Sequence, residues 1–425
     1  MAADRPRAIT GEKRRLGSVY PNHALFSAPH RLFFLVGAIQ LVASVLVWLI
    51  ILIGLYTPAV PTLSLTVDGI SAHSFLMLYG LFTFFVFGFL TTVFPRWLAT
   101  EVIDPRRYVV IAILLAAGIA GYYLGLFTRR DIAFVGNMIF VAGWGLGLWT
   151  LVGIWRRSNH PDKRFALFPL TCATAGCAGA IVYALWLWTS RPELRQAAIA
   201  IGMWLYLVPL IVAVSHRMIP FFSARVLNDY TVVKPDWTLP ATLLCVTVHC
   251  LLAIIGQPEW TVLADLPLAL LAGWHSVRWG LVRSLHVPLL GMLHISFAWL
   301  PVAMGLYTAQ RLLQLTDAPF DLGMAPLHAL GIGFVTSMVV AMASRVSLGH
   351  SGRPLVADRI ILWTFVIVQL TAITRVLAEI PLPGNGYAYL GLVLATAVLW
   401  LAAFIPWSLR FGAIYLRRRV DGAPG

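Results

Sequence analysis

Charge is what this chain has least of. Only 11% of its 425 residues are Asp, Glu, Lys or Arg, and acidic residues number 17 against 31 basic ones. With 60% hydrophobic residues and a mean hydropathy of +0.83, the chain is too apolar for a soluble domain. Cysteine is scarce as well. Cys172, Cys177, Cys245 and Cys250 form neither a CxxC nor a CxxCH, which excludes covalent c-type haem attachment and thiolate zinc clusters. The plain reading of these cysteines is small apolar packing residues; His249, four residues after Cys245, adds the option of a soft-metal pair. A cleavable signal is also missing, because Met1 to Arg31 is polar and basic without a short apolar core, and the first span is expected to act as its own insertion signal. No connector is long enough for a second folded domain, and no low-complexity tract or internal repeat is evident by eye.

What is present is a succession of apolar runs of about twenty residues, the length that crosses a bilayer as a helix. They fall near 33–56, 72–94, 108–127, 132–154, 166–188, 196–215, 239–256, 260–280, 288–313, 324–347, 359–381 and 387–416, the eighth being the weakest. The expected fold is all-α: a polytopic transmembrane helical bundle of about 12 spanning helices. It divides into an N-terminal tail (1–32), a single bundle (33–416) and a C-terminal tail (417–425). Alternating the connectors places 25 of the 31 basic residues on the side of the N-terminus, including Arg156, Arg157, Lys163, Arg164, Arg417, Arg418 and Arg419. By the positive-inside rule both termini are cytoplasmic. This sidedness, with anionic lipid headgroups as the partner, accounts for the net charge of +14 and argues against nucleic-acid binding.

The histidines divide by depth. His23, His30, His160, His216 and His286 fall in or beside cytoplasmic connectors, where a solvated or headgroup-facing imidazole is the default. His73, His249, His275, His294 and His328 fall within spans, where an imidazole needs a hydrogen-bond partner, a metal or a cofactor. The stretch "LHALGIGFVTSMVVAMASRVSLGHSGRPL" carries His328 at one end and His350 at the other, about 33 Å apart along a helix, so one metal cannot hold both. His73 and His328 each open a span running from periplasm to cytoplasm. They lie at similar depth, where the positive helix end favours the neutral imidazole that metal ligation requires. His294, Arg345 and His350 collect at the cytoplasmic end, suited to a propionate or an anionic lipid. Met77, four residues after His73, offers a thioether to copper on the same face. Ala329, Gly333, Ser337 and Ala341, and likewise Gly80 and Gly88, follow small-residue spacings that admit either a neighbouring helix or a flat macrocycle.

Four stretches, "MLYGLFTFFVFGFLTTVFPRW" (Met77 to Trp97), "SHRMIPFFSARVL" (Ser215 to Leu227), "LHISFAWLPVAMGL" (Leu293 to Leu306) and "SRVSLGHSGRPL", together with the closing "YLRRRVDGAPG", resemble motifs of the NnrS family, in the family's order and over nearly the whole chain. The resemblance implies a twelve-helix inner-membrane protein that binds haem and copper and is associated with denitrification and protection from nitric oxide. His294, His328, Arg345, His350 and Arg353 match the family's later motifs. The second span departs from the pattern. Where members commonly carry His-x-His-Glu-Met, this chain keeps His73 but has Phe75 and Leu76 for the second histidine and the glutamate, which favours haem over copper here.

Two functional classes follow. In the first, a b-type haem is flanked by His73 and His328, and the bacterial inner-membrane protein meets nitric oxide or nitrosylated metal centres during nitrosative stress. The second is a secondary transporter or permease without a redox cofactor, which twelve spans alone suggest. No second-metal ligand set and no acid chain of a nitric-oxide reductase can be named, so the sequence does not establish catalysis. It also leaves oligomeric state open, a homo-oligomer included.

Overall fold

A computed structural model describes residues 24–56, 63–380 and 386–422, with side chains at 386 and 387 left aside. His23 and Gly425 lie outside these residues. Twelve helical rods account for nearly all of the rest, and no strand occurs among the described residues. They are α1 Pro29–Tyr56, α2 Gly69–Trp97, α3 Pro105–Phe127, α4 Arg130–Arg157, α5 Arg164–Thr189, α6 Pro192–Val226, α7 Thr238–Ile254, α8 Val262–Arg278, α9 Pro288–Leu315, α10 Ala325–His350, α11 Arg359–Ala378 and α12 Gly386–Leu416. Ten of these are long and apolar enough to cross a membrane. The exceptions are α7 and α8, of 17 residues each, or about 25 Å at 1.5 Å per residue. The chain is thus a multi-pass membrane protein.

Short polar caps start several rods. Asp68 accepts from Ser71 N at 2.9 Å, Asp104 from Arg106 N at 2.8 Å, and Asp358 from Ile361 N at 3.0 Å, each satisfying an amide that a helix start leaves free. The sixth rod continues to Val226 rather than stopping near residue 215. Its polar end stays helical because His216, Pro220 and Ser223 are buried against neighbours.

Consecutive rods run in opposite directions, so the starts of odd-numbered helices and the ends of even-numbered ones share one face, called here the amino face. Packing recurs with a period of four helices. In each set of four the first helix packs on the second and the third on the fourth; the fourth packs on the first helix of the next set, and α12 closes against α1. The second helices of the sets, α2, α6 and α10, each contain a π-helical segment: Leu76–Leu81, Ile201–Leu207 and Ala329–Thr336. In α10 the hydroxyls of Thr336 and Ser337 reach the carbonyls five residues back, of Gly331 at 2.8 Å and Ile332 at 3.3 Å, serving backbone groups that the wider turn loosens. This recurrence is the regularity that the residue pattern conceals.

Glycines set the closest approach. A Cβ on Gly125 would sit 2.0 Å from Ala133 N, and one on Gly136 2.4 Å from Tyr122 N, so α3 and α4 touch backbone to backbone. The small residues of α2 and α10 also serve packing. A Cβ on Gly333 would lie 2.4 Å from the Trp299 ring of α9, and one on Gly88 2.6 Å from Phe34 of α1, whereas Gly80 faces Ile119 of α3. Gly80 and Gly88 therefore meet different helices, and neither Gly88 nor Gly333 leaves room for a macrocycle. At the amino face the buried Arg31 caps the end of α12 through the carbonyls of Arg417 (2.5 Å) and Tyr415 (3.4 Å). The chain after α12 folds back, with Val420 N on Ser351 O at 3.1 Å and Arg419 on His350 O at 3.0 Å.

Candidate functional site

His73 and His328 open α2 and α10 at the face opposite the amino face, and both are half-buried. His73 stacks on Trp48 of α1, with ring centres 4.3 Å apart and planes 22° apart, and its Nδ1 is buried without a hydrogen-bond partner. His328 Nδ1 lies 2.9 Å from Met324 O. A carbonyl only accepts, so Nδ1 carries the proton and Nε2 keeps a free lone pair, the tautomer that ligates a metal. The two histidines are close enough to each other and to Arg375 for their charges to interact. Arg375 of α11 pairs with Glu379, just past that helix's end, at 2.6 Å, each 11% exposed. Met77 packs against the apolar core at the second position of the π segment; the wider turn there breaks the simple i, i+4 relation to His73. Among the described residues no three of His, Cys, Asp and Glu converge as a metal site.

His294, Arg345 and His350, expected to share one anionic site, are instead held by different neighbours. His294 Nε2 meets the Ser223 hydroxyl of α6 at 2.9 Å. The Arg345 guanidinium lies over the Phe222 ring at 4.0 Å. The His350 ring centre lies 4.6 Å from that of His30, and its Nε2 is 3.4 Å from Arg96. Helix rotation separates what depth alone would group. Between the two faces lies a small, partly open cavity of about 60 Å³ with an apolar lining that includes Phe34, Phe85, Ile211, Met338 and Met342.

A protein-family model described as NnrS protein matches residues 24–419. The chain belongs to the NnrS family. A comparison with curated proteins finds no match. In this NnrS chain the two positions that depart from the second-span pattern are absorbed into the core. Phe75 is buried and stacks on Tyr183 (4.5 Å, 23°) and Tyr122 (4.4 Å, 37°), and Leu76 is buried beside it. The two tyrosine hydroxyls meet at 2.8 Å, and Tyr183 donates to Ser71 O at 3.0 Å. An aromatic cluster occupies the place where the pattern has an imidazole and a carboxylate.

Two NnrS features escape a reading by depth. His249 of α7 finds its partner not in Cys245 but in Asp265 of α8, Nδ1 to Oδ1 2.5 Å, with Trp204 stacked on the ring at 3.6 Å. A signal exists in retrospect: two short helices joined by a short connector, with His249 near the end of the first and Asp265 near the start of the second. His30 and His216, expected in headgroups, are 1% and 6% exposed, because the ends of α1 and α6 are covered by other helices. His286 is exposed and His160 half-buried, as connector residues.

Proposed function

We propose that this NnrS protein holds a b-type haem between His73 and His328, in the half of the bundle away from the amino face, and meets nitric oxide there. The observation that carries the reading is the Met324 carbonyl on His328 Nδ1, which leaves Nε2 as a lone pair at the same end of the bundle as a second imidazole whose Nδ1 is buried and unpartnered. Imidazoles in this state fit an iron ligand set better than a helix cap, because a cap would use up the ring nitrogens. Arg375, now paired with Glu379, would have to exchange that carboxylate for a propionate to anchor one. A haem at this position would supply iron chemistry toward a diatomic gas, provided that one of the two imidazoles yields its place to the gas. The apolar cavity lined by α1, α2, α6 and α10 favours the gas reading over a transporter: its walls suit a small apolar solute that partitions into the bilayer, and they offer no group to a charged one. The excess of basic residues at the amino face supports a cytoplasmic position for it in a bacterial inner membrane. Copper at the start of α2 is disfavoured by Phe75 and Leu76.

The test is optical. Reduced-minus-oxidised spectra of protein purified without oxygen should show Soret and α bands that shift on adding nitric oxide. A colourless preparation that takes up a solute in vesicles would replace this reading with the transporter.

A further inference from the structure

Basic side chains at the amino face outnumber the carboxylates that neutralise them. Arg410 pairs with Asp358, and Arg419 pairs with Asp421 through two bonds of 2.6 and 2.9 Å. Arg31, Arg96 and Arg353 have no carboxylate partner among the described residues.

Three parts of the fold bring these cations to one place. Arg31 lies in the first turn of α1, Arg96 in the last turn of α2, and Arg353 just past the end of α10. The turn after α10 is fixed by Gly352, at φ +73°, and by Arg353 N on Leu348 O at 3.1 Å, a left-handed helix end that glycine adopts without strain. The charge of Arg31 reaches Arg353, and those of Arg31 and Arg96 both reach His350. Arg96 can only donate, so its contact with His350 Nε2 at 3.4 Å leaves the ring's proton on Nδ1.

Burial makes the excess costly. Arg31 is 2% exposed; its Nη1 serves the carbonyls that end α12, and its Nε is buried without a partner. Nη1 of the half-buried Arg353 is likewise buried and unpartnered. So is Nδ1 of His30, whose ring centre lies 4.6 Å from that of His350. Guanidinium N–H groups cut off from both water and an acceptor call for a counter-anion.

From this arrangement we infer that Arg31, Arg96 and Arg353, with His350, form a binding site for a phosphate group, carried by an anionic phospholipid or free as inorganic phosphate. A tetrahedral phosphate offers oxygens in several directions and so matches guanidinium forks that arrive from separate helices. A carboxylate offers two oxygens in one plane and serves fewer of them. The depth agrees, because all four side chains sit at the ends of spanning helices, where basic pockets between helices meet lipid headgroups. The site lies at the end of α10 opposite His328 and does not depend on the proposed haem.

The experiment offers the purified full-length chain, stripped of loosely held lipid in detergent, phosphatidylglycerol in one arm and inorganic phosphate in the other. Native mass spectrometry counts what is retained, and the thermal midpoint during titration reads affinity. One phosphate group per chain is expected, and the arm that saturates identifies its source. Arg353→Gln and Arg96→Gln should each weaken this binding by about tenfold or more. Arg418→Gln, which removes an exposed charge on the same face, should leave it unchanged. Equal loss in all three variants means diffuse attraction to a basic surface and overturns the inference. Wild-type protein that retains neither probe, or undiminished binding in Arg353→Gln, overturns it as well. Should one of the two site variants fail to fold, the other, set against Arg418→Gln, decides.

Discussion

Replacing Asp265 with Leu removes the carboxylate that meets His249 Nδ1 at 2.5 Å, at a place where the Asp265 side chain is 0% and the His249 side chain 4% exposed. Breaking a buried pair from one side typically costs about 3–5 kcal/mol, whereas replacing both partners with apolar residues is often neutral. The two single losses should differ here. Asp265→Leu leaves an imidazole that can stay uncharged under Trp204 and falls at the lower end of that range. His249→Phe strands a carboxylate whose Oδ2 is already buried without a partner, and it falls at the upper end or reduces folded yield. The double variant His249→Phe/Asp265→Leu keeps an aromatic ring against Trp204 and Tyr307 and should recover most of the loss, a coupling of about 3 kcal/mol or more. Denaturant titration of the four proteins in one detergent, followed by tryptophan fluorescence, measures the cycle. If the single effects add to within about 0.5 kcal/mol, the pair is not an energetic unit and the reasoning fails.

Gly333→Val drives a side chain into Trp299, whose indole N–H is engaged by Gln369 at 2.7 Å; overpacking of this kind costs about 1–3 kcal/mol and should lower the thermal midpoint, and an unchanged midpoint would show that the ring moves freely. A reporter active only in the periplasm, fused after Gly425, should stay silent, and activity would invert the assigned sidedness. His350→Ala, which removes only amino-face contacts to His30 and Arg96, should leave haem content per folded chain intact while lowering yield; a haem-free but folded variant would place the cofactor at the opposite end of α10.

Much of this architecture is legible because a bilayer imposes one requirement, about twenty apolar residues per span, and apolar runs mark all twelve rods, including the short α7 and α8. The depth of His73 and His328 is legible for the same reason. Rotation about each helix axis is not, since 60% apolar composition leaves little contrast between lipid-facing and helix-facing sides. That is why His294, Arg345 and His350 scatter to separate neighbours, and why Asp265 is not paired with His249 in advance. The π segments leave no mark either: one extra residue per turn changes which residues share a face without changing their hydrophobicity. Position beside a connector misleads at His30 and His216, where it reads as headgroup exposure although other helices cover both rings.

The central claim is that His73 and His328 together hold the iron. Low-temperature electron paramagnetic resonance of the oxidised protein, with heavy-metal and haem content measured on the same sample, tests it most directly. A low-spin ferric signal of two-imidazole type is expected in the wild type. In His73→Ala and in His328→Ala that signal should be lost or converted to high spin at unchanged folded yield. A wild-type low-spin signal that survives unaltered in both variants would contradict it.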